Sequence, residues 1–416
     1  MMDSFSNTAL ARLFSSFALL ILFSFLAACA GGGASDNASS DEAAPASVEP
    51  EESAGQHNIL LIIADDLAYD HYGFAGHPVL KTPFIDSLAA QSVRFPAAYV
   101  SSSCRPTYAT LLTGLPEHLH AVTYLNGPSL GDFPTVADRL LSVGYSTFQA
   151  GKFWEGSPYS RGFTDNVPFN SDFGNLSIGR TSIDPIFDFM EETSSPWFVW
   201  FSPQMPHSPH NAPDNFLAMY EKMGLDSAAV EYFAMVSWFD AVVGTLLQGA
   251  EDNTVVIFLA DNGFIQSELP ELQGPRSKAS SYEHGIRTQL LIRHPKYDPI
   301  LRAELSSAVD VTATILSIAG ADYSDLSGID LLAAVPPDTP AFGSRSSLGL
   351  ESPSGVLLER WARVGEWKLV DVENRDDRLH NLTSDPEENV NLVDNAEYSS
   401  MQENLKDVLE TLWLEY

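Results

Sequence analysis

The chain has 416 residues but only two cysteines, Cys29 and Cys104, and it is also poor in positive charge. If Cys29 carries a lipid anchor, as its surroundings predict below, Cys104 has no partner for a disulfide within the chain. Lysine and arginine number 22 against 55 aspartates and glutamates, which gives a formal net charge of -33. This balance argues against nucleic acid or a bare anionic membrane surface as a partner. The scarcity also makes each lysine or arginine in a pocket more informative.

The N-terminal segment accounts for the first cysteine. An apolar stretch from roughly Leu13 to Leu26 follows Arg12, and it is well short of the ~20 residues that a membrane span requires, so it is typical of a signal peptide. The residues "LAAC" resemble the lipobox of bacterial lipoproteins, which predicts lipidation of Cys29. We therefore expect a protein of the bacterial cell envelope, periplasmic or on the outer surface, that touches the membrane through its lipid anchor only. An ordinary signal peptide or an uncleaved anchor is the alternative.

Composition divides the chain into four segments. Residues 1–29 form the predicted lipoprotein signal peptide. Residues 30–56 are small, acidic or proline residues that bury too little surface to offset the entropy of ordering, so we predict a flexible acidic linker. Residues 57–340 are predicted to be a catalytic domain, and residues 341–416 a small C-terminal subdomain with paired strands and a closing helix near 397–413.

Four short apolar runs are typical of strands buried on both faces, and each stops abruptly at polar residues. The polar residues that follow them are Asp65 and Asp66, Lys152, His207 and His210, and Asp261 and Asn262. Helical patterns alternate with the runs, for example where Thr82 is placed to cap a helix and Pro83 fits its first turn. The alternation predicts an open α/β sheet with helices on both faces, in which ligands bind beyond the carboxyl ends of the strands. The four polar clusters should therefore converge.

Asp65, Asp66, Asp261 and Asn262 together offer only hard oxygen ligands. Such a set suits Ca²⁺ or Mg²⁺ better than a structural zinc ion, which prefers cysteine or histidine. A pair of aspartates at the end of one strand is often a cap or a solvated turn, but two pairs on two strands favour a metal site.

Cys104 precedes a predicted helix. Pro106 would lie in its first turn, the helix would run to about Thr113, and Gly114 would end it. The N-terminus of a helix favours a thiolate or a bound anion, so the cysteine is placed where a nucleophile would act on an anionic ester. The same geometry is compatible with a buried, inert thiol.

From Asn58 to the C-terminus, the ordered motifs resemble those of the sulfatase family, within the alkaline-phosphatase-like superfamily. After the Asp65–Asp66 pair come "CRPTYATLLTG" with "HLH", "GK", "PHSPH", "ADNG", "KASSYEHGIR", "RWARVGEWKLV" and "HNLTSDPEENVNL". The resemblance implies a mixed, mostly parallel sheet sandwiched by helices, with a small C-terminal α+β subdomain. It also implies that a maturase oxidises Cys104 to formylglycine, the catalytic aldehyde of the family.

The resemblance further implies the reaction. Ca²⁺, or Mg²⁺, held by Asp65, Asp66, Asp261 and Asn262 would lower the pKa of one hydroxyl of the hydrated aldehyde, which would attack sulfur. Lys152 and Lys278 match the lysines that neutralise the sulfate oxygens, and His207 matches the histidine that protonates the leaving alcohol. The implied substrate is an organic sulfate ester. The predicted location outside the cytoplasm favours a sulfated glycan, and simple aryl or alkyl sulfates stay open.

Two positions depart from the family pattern. Tyr108 replaces an arginine that helps to hold the formylglycine and belongs to the motif read by the aerobic maturase. Trp154 replaces a histidine that contacts the formylglycine and helps to release sulfate. We expect Glu155, His118 or His120 to act as the missing base.

Two other functions stay open at this point. The first is hydrolysis of phosphomonoesters or phosphodiesters by the same superfamily, although those enzymes usually add histidine-rich ligands for two transition metals. The second is a non-catalytic lipoprotein that binds sulfated glycans through a degenerate site.

Overall fold

The computed structural model describes residues 57–168, 177–194, 196–268, 274–347 and 355–415. These residues belong to one compact unit. The predicted signal peptide, the linker and the lipidation site at Cys29 lie outside the described residues, so the division of the chain into four segments stays a prediction.

A large mixed sheet contains nine strands, in the spatial order β4-β3-β5-β1-β6-β7-β2-β8 with β9 beside β2. The strands are β1 Asn58–Ala64, β2 Val93–Tyr99, β3 Ser146–Gly151, β4 Asp165–Asn166, β5 Trp197–Ser202, β6 Thr254–Ala260, β7 Arg287–Arg293, β8 Ile300–Leu301 and β9 Ser306–Ser307. Among the described residues, only β7 runs antiparallel to its neighbours, β6 and β2, and every other pairing in this sheet is parallel. The mixed, mostly parallel sheet implied by the resemblance is confirmed.

Helices lie on both faces of this sheet. They are α1 Pro83–Ala90, α2 Cys104–Thr113, α3 Glu117–His120, α4 Val136–Ser142, α5 Asp184–Glu192, α6 Asp214–Leu217, α7 Ser227–Gly249, α8 Glu283–Ile286 and α9 Ala308–Ala319. Alternate residues of β1 explain the two layers, because Leu60 and Ile62 pack into one hydrophobic core and Ile59 and Leu61 into the other. Helix α7 is long and apolar enough to cross a membrane, but two thirds of its most apolar stretch is buried inside the protein, as in a core helix.

The four predicted strands are neighbours in the sheet. They lie in the order β3, β5, β1, β6 and are all parallel, so their carboxyl ends meet at one edge. The convergence that the polar strand ends predicted is therefore observed. One local prediction was wrong: Thr82 makes no side-chain cap on α1. Its hydroxyl instead accepts from the Gly73 N–H and donates to Asp86 Oδ1, both at 2.8 Å.

A second, smaller sheet follows and is antiparallel. Its strands are β10 Ala341–Ser346, β11 Leu357–Val364, β12 Trp367–Val372 and β13 Arg378–Asn381, in that spatial order. Helix α10, Ser399–Glu415, packs on it through Leu405, which joins Leu369 and Leu379 in a small core. The small C-terminal α+β subdomain is thus present, with the closing helix two residues further along the chain than predicted.

Gly151, in the "GK" motif, is required by its surroundings. Its φ is +111°, and a Cβ at this position would lie 2.0 Å from the Ser202 carbonyl oxygen. We expect Gly151→Ala to lower the free energy of unfolding by clearly more than about 1 kcal/mol, measured by urea denaturation. Gly144→Ala is the matched control, because Gly144 also has positive φ but nothing within 4 Å of the added carbon. Equal losses of unfolding free energy in the two variants would contradict the idea that the close contact with the Ser202 carbonyl requires glycine at position 151.

Candidate active site

Asp65 and Asp66 follow β1 and differ in backbone conformation, since Asp65 continues the strand and Asp66 turns away from it. The Asp65 N–H donates to the Met205 carbonyl at 2.9 Å, which extends the parallel pairing of β1 by one bridge. Asp66 then adopts a left-handed conformation with φ of 66°. This turn aims its N–H at Asp261 Oδ1, 3.1 Å away. Strained backbone of this kind persists where the surroundings demand it, and it brings the two aspartate pairs together.

Asn262 completes the cluster from the end of β6. Its Nδ2 donates to Asp66 Oδ1 at 2.7 Å, so its amide oxygen faces the other way. Three oxygens of the four predicted ligands are buried and have no hydrogen-bond partner among the described residues: Asp65 Oδ1, Asp261 Oδ2 and Asn262 Oδ1. Buried acceptors without partners are rare in native proteins. A hard cation that takes oxygen ligands would satisfy all three, so the residues fit the predicted metal site.

The two predicted lysines neutralise the aspartates. Lys152 Nζ lies 2.6 Å from Asp65 Oδ2, and Lys278 Nζ lies 2.5 Å from Asp66 Oδ1. Burial raises the pKa of Asp65, but Lys152, His207 and Lys278 outweigh it and bring that pKa to about 2. For both lysines burial opposes the charge and the carboxylates prevail, so their pKa values are raised. Both lysines are therefore charged, and each has N–H donors beyond the one its aspartate accepts.

Asp261 differs electrostatically from Asp65. Burial, and next the charge of Asp65, raise its pKa well above the ordinary value, although Lys152 and Lys278 oppose this. A bound dication would reverse the effect, because a nearby positive charge favours the ionised carboxylate.

His207 joins the cluster through its ring. Its Nδ1 lies 2.8 Å from the Ser208 carbonyl oxygen and 3.3 Å from Gln204 Nε2, and the shorter contact favours a proton on Nδ1. Its Nε2 lies 3.5 Å from Asp66 Oδ2. The neighbouring His210, which ends the same motif, packs against the Tyr232 ring at 5.7 Å between centroids. His207 is therefore the histidine of this motif that reaches the carboxylates.

Cys104 is the first residue of α2, and Gly114 ends that helix in a left-handed conformation, as the sequence predicted. The side chain is 7% exposed and lies close enough to Asp65 and Asp261 for one ligand atom of each to be within 4.8 Å of the others. Of the alternatives left open for the unmodified side chain, the structure favours the buried thiol over the thiolate. Burial raises the pKa of the Cys104 thiol, and the opposing effect of Lys278 and Lys152 is smaller.

The three candidates for a compensating base have other partners. Glu155 accepts from Arg105 Nε at 2.7 Å and from the Leu130 N–H at 2.9 Å. His120 accepts from the Val122 N–H at 3.1 Å through Nδ1, and its Nε2 lies 3.0 Å from Thr110 Oγ1. Burial lowers the pKa of His120 to about 3.

His118, the third candidate, stacks on Trp413 of α10 with 4.4 Å between ring centroids. Within the part of the chain that the structure describes, none of the three forms a hydrogen bond or ion pair with the carboxylates and lysines around Cys104. The structure therefore does not favour the hypothesis of a compensating base, since these side chains hold loops and the C-terminal helix in place.

We expect Glu155→Gln to act on stability more than on turnover. Arg105 is buried beside Cys104, and removing the charge of its partner should lower the free energy of unfolding by about 3 kcal/mol. Glu117→Gln is the matched control, since Glu117 is also buried but accepts from Ser344 Oγ rather than from an arginine. Urea denaturation and initial rates should be measured together. A fall of about 100-fold or more in kcat at unchanged stability would restore Glu155 as a base.

Arg180 was missed by the sequence analysis. Its guanidinium donates to the carbonyls of Gln204 and His207, both at 2.7 Å, and to that of Pro209 at 2.9 Å. It therefore holds the loop that carries His207. No motif of the sequence contains Arg180. The scarcity of arginine in the chain was therefore the one feature that could have drawn attention to it.

Comparisons with known proteins agree with this arrangement. A family model described as sulfatase matches residues 57–321. Human arylsulfatase A is 30% identical over 341 residues, an alignment that covers 66% of this chain and 66% of that protein, slightly less than two thirds. N-acetylgalactosamine-6-sulfatase of Sus scrofa is 27% identical over 75% of this chain and 73% of its own length. Choline-sulfatase of Rhizobium meliloti (strain 1021) is 25% identical, with coverages of 82% and 83%.

Solved structures share the fold at low identity. A protein in complex with a neocarrahexaose has a TM-score of 0.73 and 21% identity, covering 86% of this chain and 93% of its own. A phosphonate monoester hydrolase of Agrobacterium radiobacter has a TM-score of 0.70 and 18% identity, covering 86% of this chain and 95% of its own.

Since the family model matches more than half of the residues, from the first strand through α9, this chain belongs to the sulfatase family.

Proposed function

We propose that this protein hydrolyses organic sulfate esters, and that its substrates are sulfated carbohydrates. The observation that carries the proposal is the set of three buried oxygens without partners among the described residues, in a cluster that includes Cys104 and two charged lysines paired with Asp65 and Asp66. We further propose that Ca²⁺, rather than Mg²⁺, is the resident cation, because Ca²⁺ accepts more oxygen ligands in a less regular geometry.

Formylglycine made from Cys104 would supply the nucleophilic oxygen, and the bound cation would stabilise its negative charge. The chain's own residues have distinct tasks. Lys152 and Lys278 bind the oxygens of the anionic group through the N–H donors that Asp65 and Asp66 leave free. His207 holds its Nδ1 proton on the Ser208 carbonyl, so Nε2 is the atom that can carry a proton to the leaving alcohol.

Two of the relatives guide the choice of substrate. One similar structure is a complex with D-glucosamine-2-N,6-O-disulfate, named there as its substrate, and one relative is an N-acetylgalactosamine-6-sulfatase. Both names describe sulfated amino sugars. Attachment of Cys29 to lipid at the cell envelope would place the present protein where extracellular glycans are met.

The test is mass spectrometry of the peptide that spans Cys104, from protein made in its own cells, with aldehyde trapping and metal analysis. We expect the mass of formylglycine, about one divalent ion for each chain, and turnover of sulfated saccharides but not of the matching phosphate esters. A free thiol in folded, metal-loaded protein would contradict the proposal. Turnover of phosphate esters in its place would favour a phosphohydrolase, and binding of sulfated glycans without turnover would favour a binding protein.

A further inference from the structure

The two positions that depart from the family pattern contact each other. The rings of Tyr108 and Trp154 meet edge to face, with 5.1 Å between centroids and 83° between planes. Tyr108 lies four residues after Cys104 on α2, so the two side chains share one face of that helix. On the other side of the pair, Lys152 Nζ lies 5.0 Å from the centre of the Trp154 ring. The aromatic pair therefore connects the nucleophile position with one of the lysines.

The Tyr108 hydroxyl is buried and lacks a well-formed hydrogen bond. The residue is 2% exposed, and its Oη has no partner of normal geometry among the described residues. Burial raises the pKa of Tyr108 well above its ordinary value, Asp261, Asp65 and Cys104 add to this, and a weak interaction with Ser202 opposes it. The phenol is therefore neutral and retains a proton to donate.

The Ser202 hydroxyl already forms hydrogen bonds with other groups. Its Oγ accepts from Trp200 Nε1 at 3.0 Å and donates to the Lys152 carbonyl at 3.1 Å. The sulfur of Cys104, the reactive side chain one turn away, is only a weak acceptor. An oxygen on the same carbon would be a strong one. The unpartnered hydroxyl thus suits a position 104 that carries oxygen better than one that carries sulfur.

We propose that the Tyr108 hydroxyl donates a hydrogen bond to the oxygen of the modified side chain at position 104, and that Trp154 holds the Tyr108 ring in the orientation this bond needs. The inference rests on the proposed function, because the oxygen exists only after Cys104 has been oxidised to the aldehyde. A neutral donor fixed at this point favours the hydrated form and stabilises negative charge that develops on its oxygen.

The test compares Tyr108→Phe with Tyr72→Phe in metal-loaded, matured protein. Tyr72 is the matched control, since its hydroxyl is also buried with no partner among the described residues but its ring packs on Phe74 and Phe258 in the other core. The first readout needs no substrate: an alkoxyamine condenses with the free aldehyde to give an oxime and water, followed by intact-protein mass spectrometry. We expect trapping to be about fivefold faster in Tyr108→Phe, because loss of the hydrogen bond shifts the side chain away from the hydrate.

The second readout is turnover for each mole of aldehyde. We expect kcat to fall about 100-fold in Tyr108→Phe with little change in KM, and the thermal midpoint to stay at or above that of wild type. If Tyr108→Phe does not fold, Trp154→Leu should accelerate trapping in the same direction. Wild-type rates of both trapping and turnover in Tyr108→Phe would overturn the inference alone. Absence of the aldehyde or of sulfatase turnover in wild type would overturn the proposed function first, and this inference with it.

Discussion

Cys104→Ala is expected to reduce sulfate-ester turnover by at least about 10⁴-fold while the protein remains folded and binds its cation. The only other cysteine of the chain is Cys29, which is predicted to carry lipid, so no second thiol is available for conversion to the aldehyde. The lost sulfur leaves a small gap at the start of α2, which should cost only about 1 kcal/mol of stability. Initial rates with a chromogenic aryl sulfate, circular dichroism and metal analysis measure the three effects.

Cys29→Ala is the matched control for this result. It should abolish lipid attachment and leave the turnover of purified protein unchanged. Activity of Cys104→Ala within about tenfold of wild type would show that the nucleophile lies elsewhere.

Asp261→Asn is expected to weaken cation binding by at least about 10- to 100-fold, the loss seen when even a residue that only supports a metal ligand is changed, and turnover should fall with it. The change keeps the shape of the side chain but removes one of the charges that a hard cation requires. Without the cation, however, the variant should be at least as stable as wild type. The reason is that burial and Asp65 already disfavour a charge at this position, which the raised pKa of Asp261 reflects. Calorimetric titration with Ca²⁺ and with Mg²⁺, and thermal unfolding in a chelator, measure the two opposite effects.

Asp240→Asn provides the comparison for a buried carboxyl outside the site. Asp240 lies on α7 and accepts from the Phe84 and Ile85 backbone N–H groups at 3.3 and 2.8 Å. Its substitution should leave cation affinity unchanged. Equal losses of affinity in both variants would mean that the effect is not specific to Asp261, and unchanged affinity in Asp261→Asn would mean that the cation is held elsewhere.

The strands and the edge where they end could be predicted from the sequence because both depend on local patterns. Runs such as that before Asp65 are apolar on both faces, which is typical of buried parallel strands. Neighbouring parallel strands place their carboxyl ends at one edge of the sheet regardless of the conformation of the connecting loops. The reversal of β7 between β6 and β2 follows from no such run. It entered the prediction of a mixed sheet only through the family resemblance.

The partners of individual side chains could not be predicted, because they join residues far apart in sequence. Glu155 follows the "GK" motif closely enough to suggest a base, yet its charge is used by Arg105, fifty positions earlier. Similarly, the helix N-terminus alone left both a thiolate and an inert thiol open for Cys104, whereas burial, which raises the pKa of that thiol, follows from distant parts of the chain. Local sequence shows where a polar group stands along the chain but not how much water remains around it.

The burial of Cys104 also sets an order of events in biosynthesis. The residues that enclose its helix come much later in the chain: Thr107 donates to the Asp261 carbonyl, and the Thr312 hydroxyl donates to that of Leu111. At about 5–20 residues per second, a growing chain needs roughly 8–30 s to proceed from Cys104 to Asp261. A maturase of the kind proposed above would have to reach the peptide around Cys104 before β6 takes its place, because the folded sheet then encloses that peptide. Faster folding of the earlier strands would therefore not shorten the time available for modification, because that time ends only when β6 arrives.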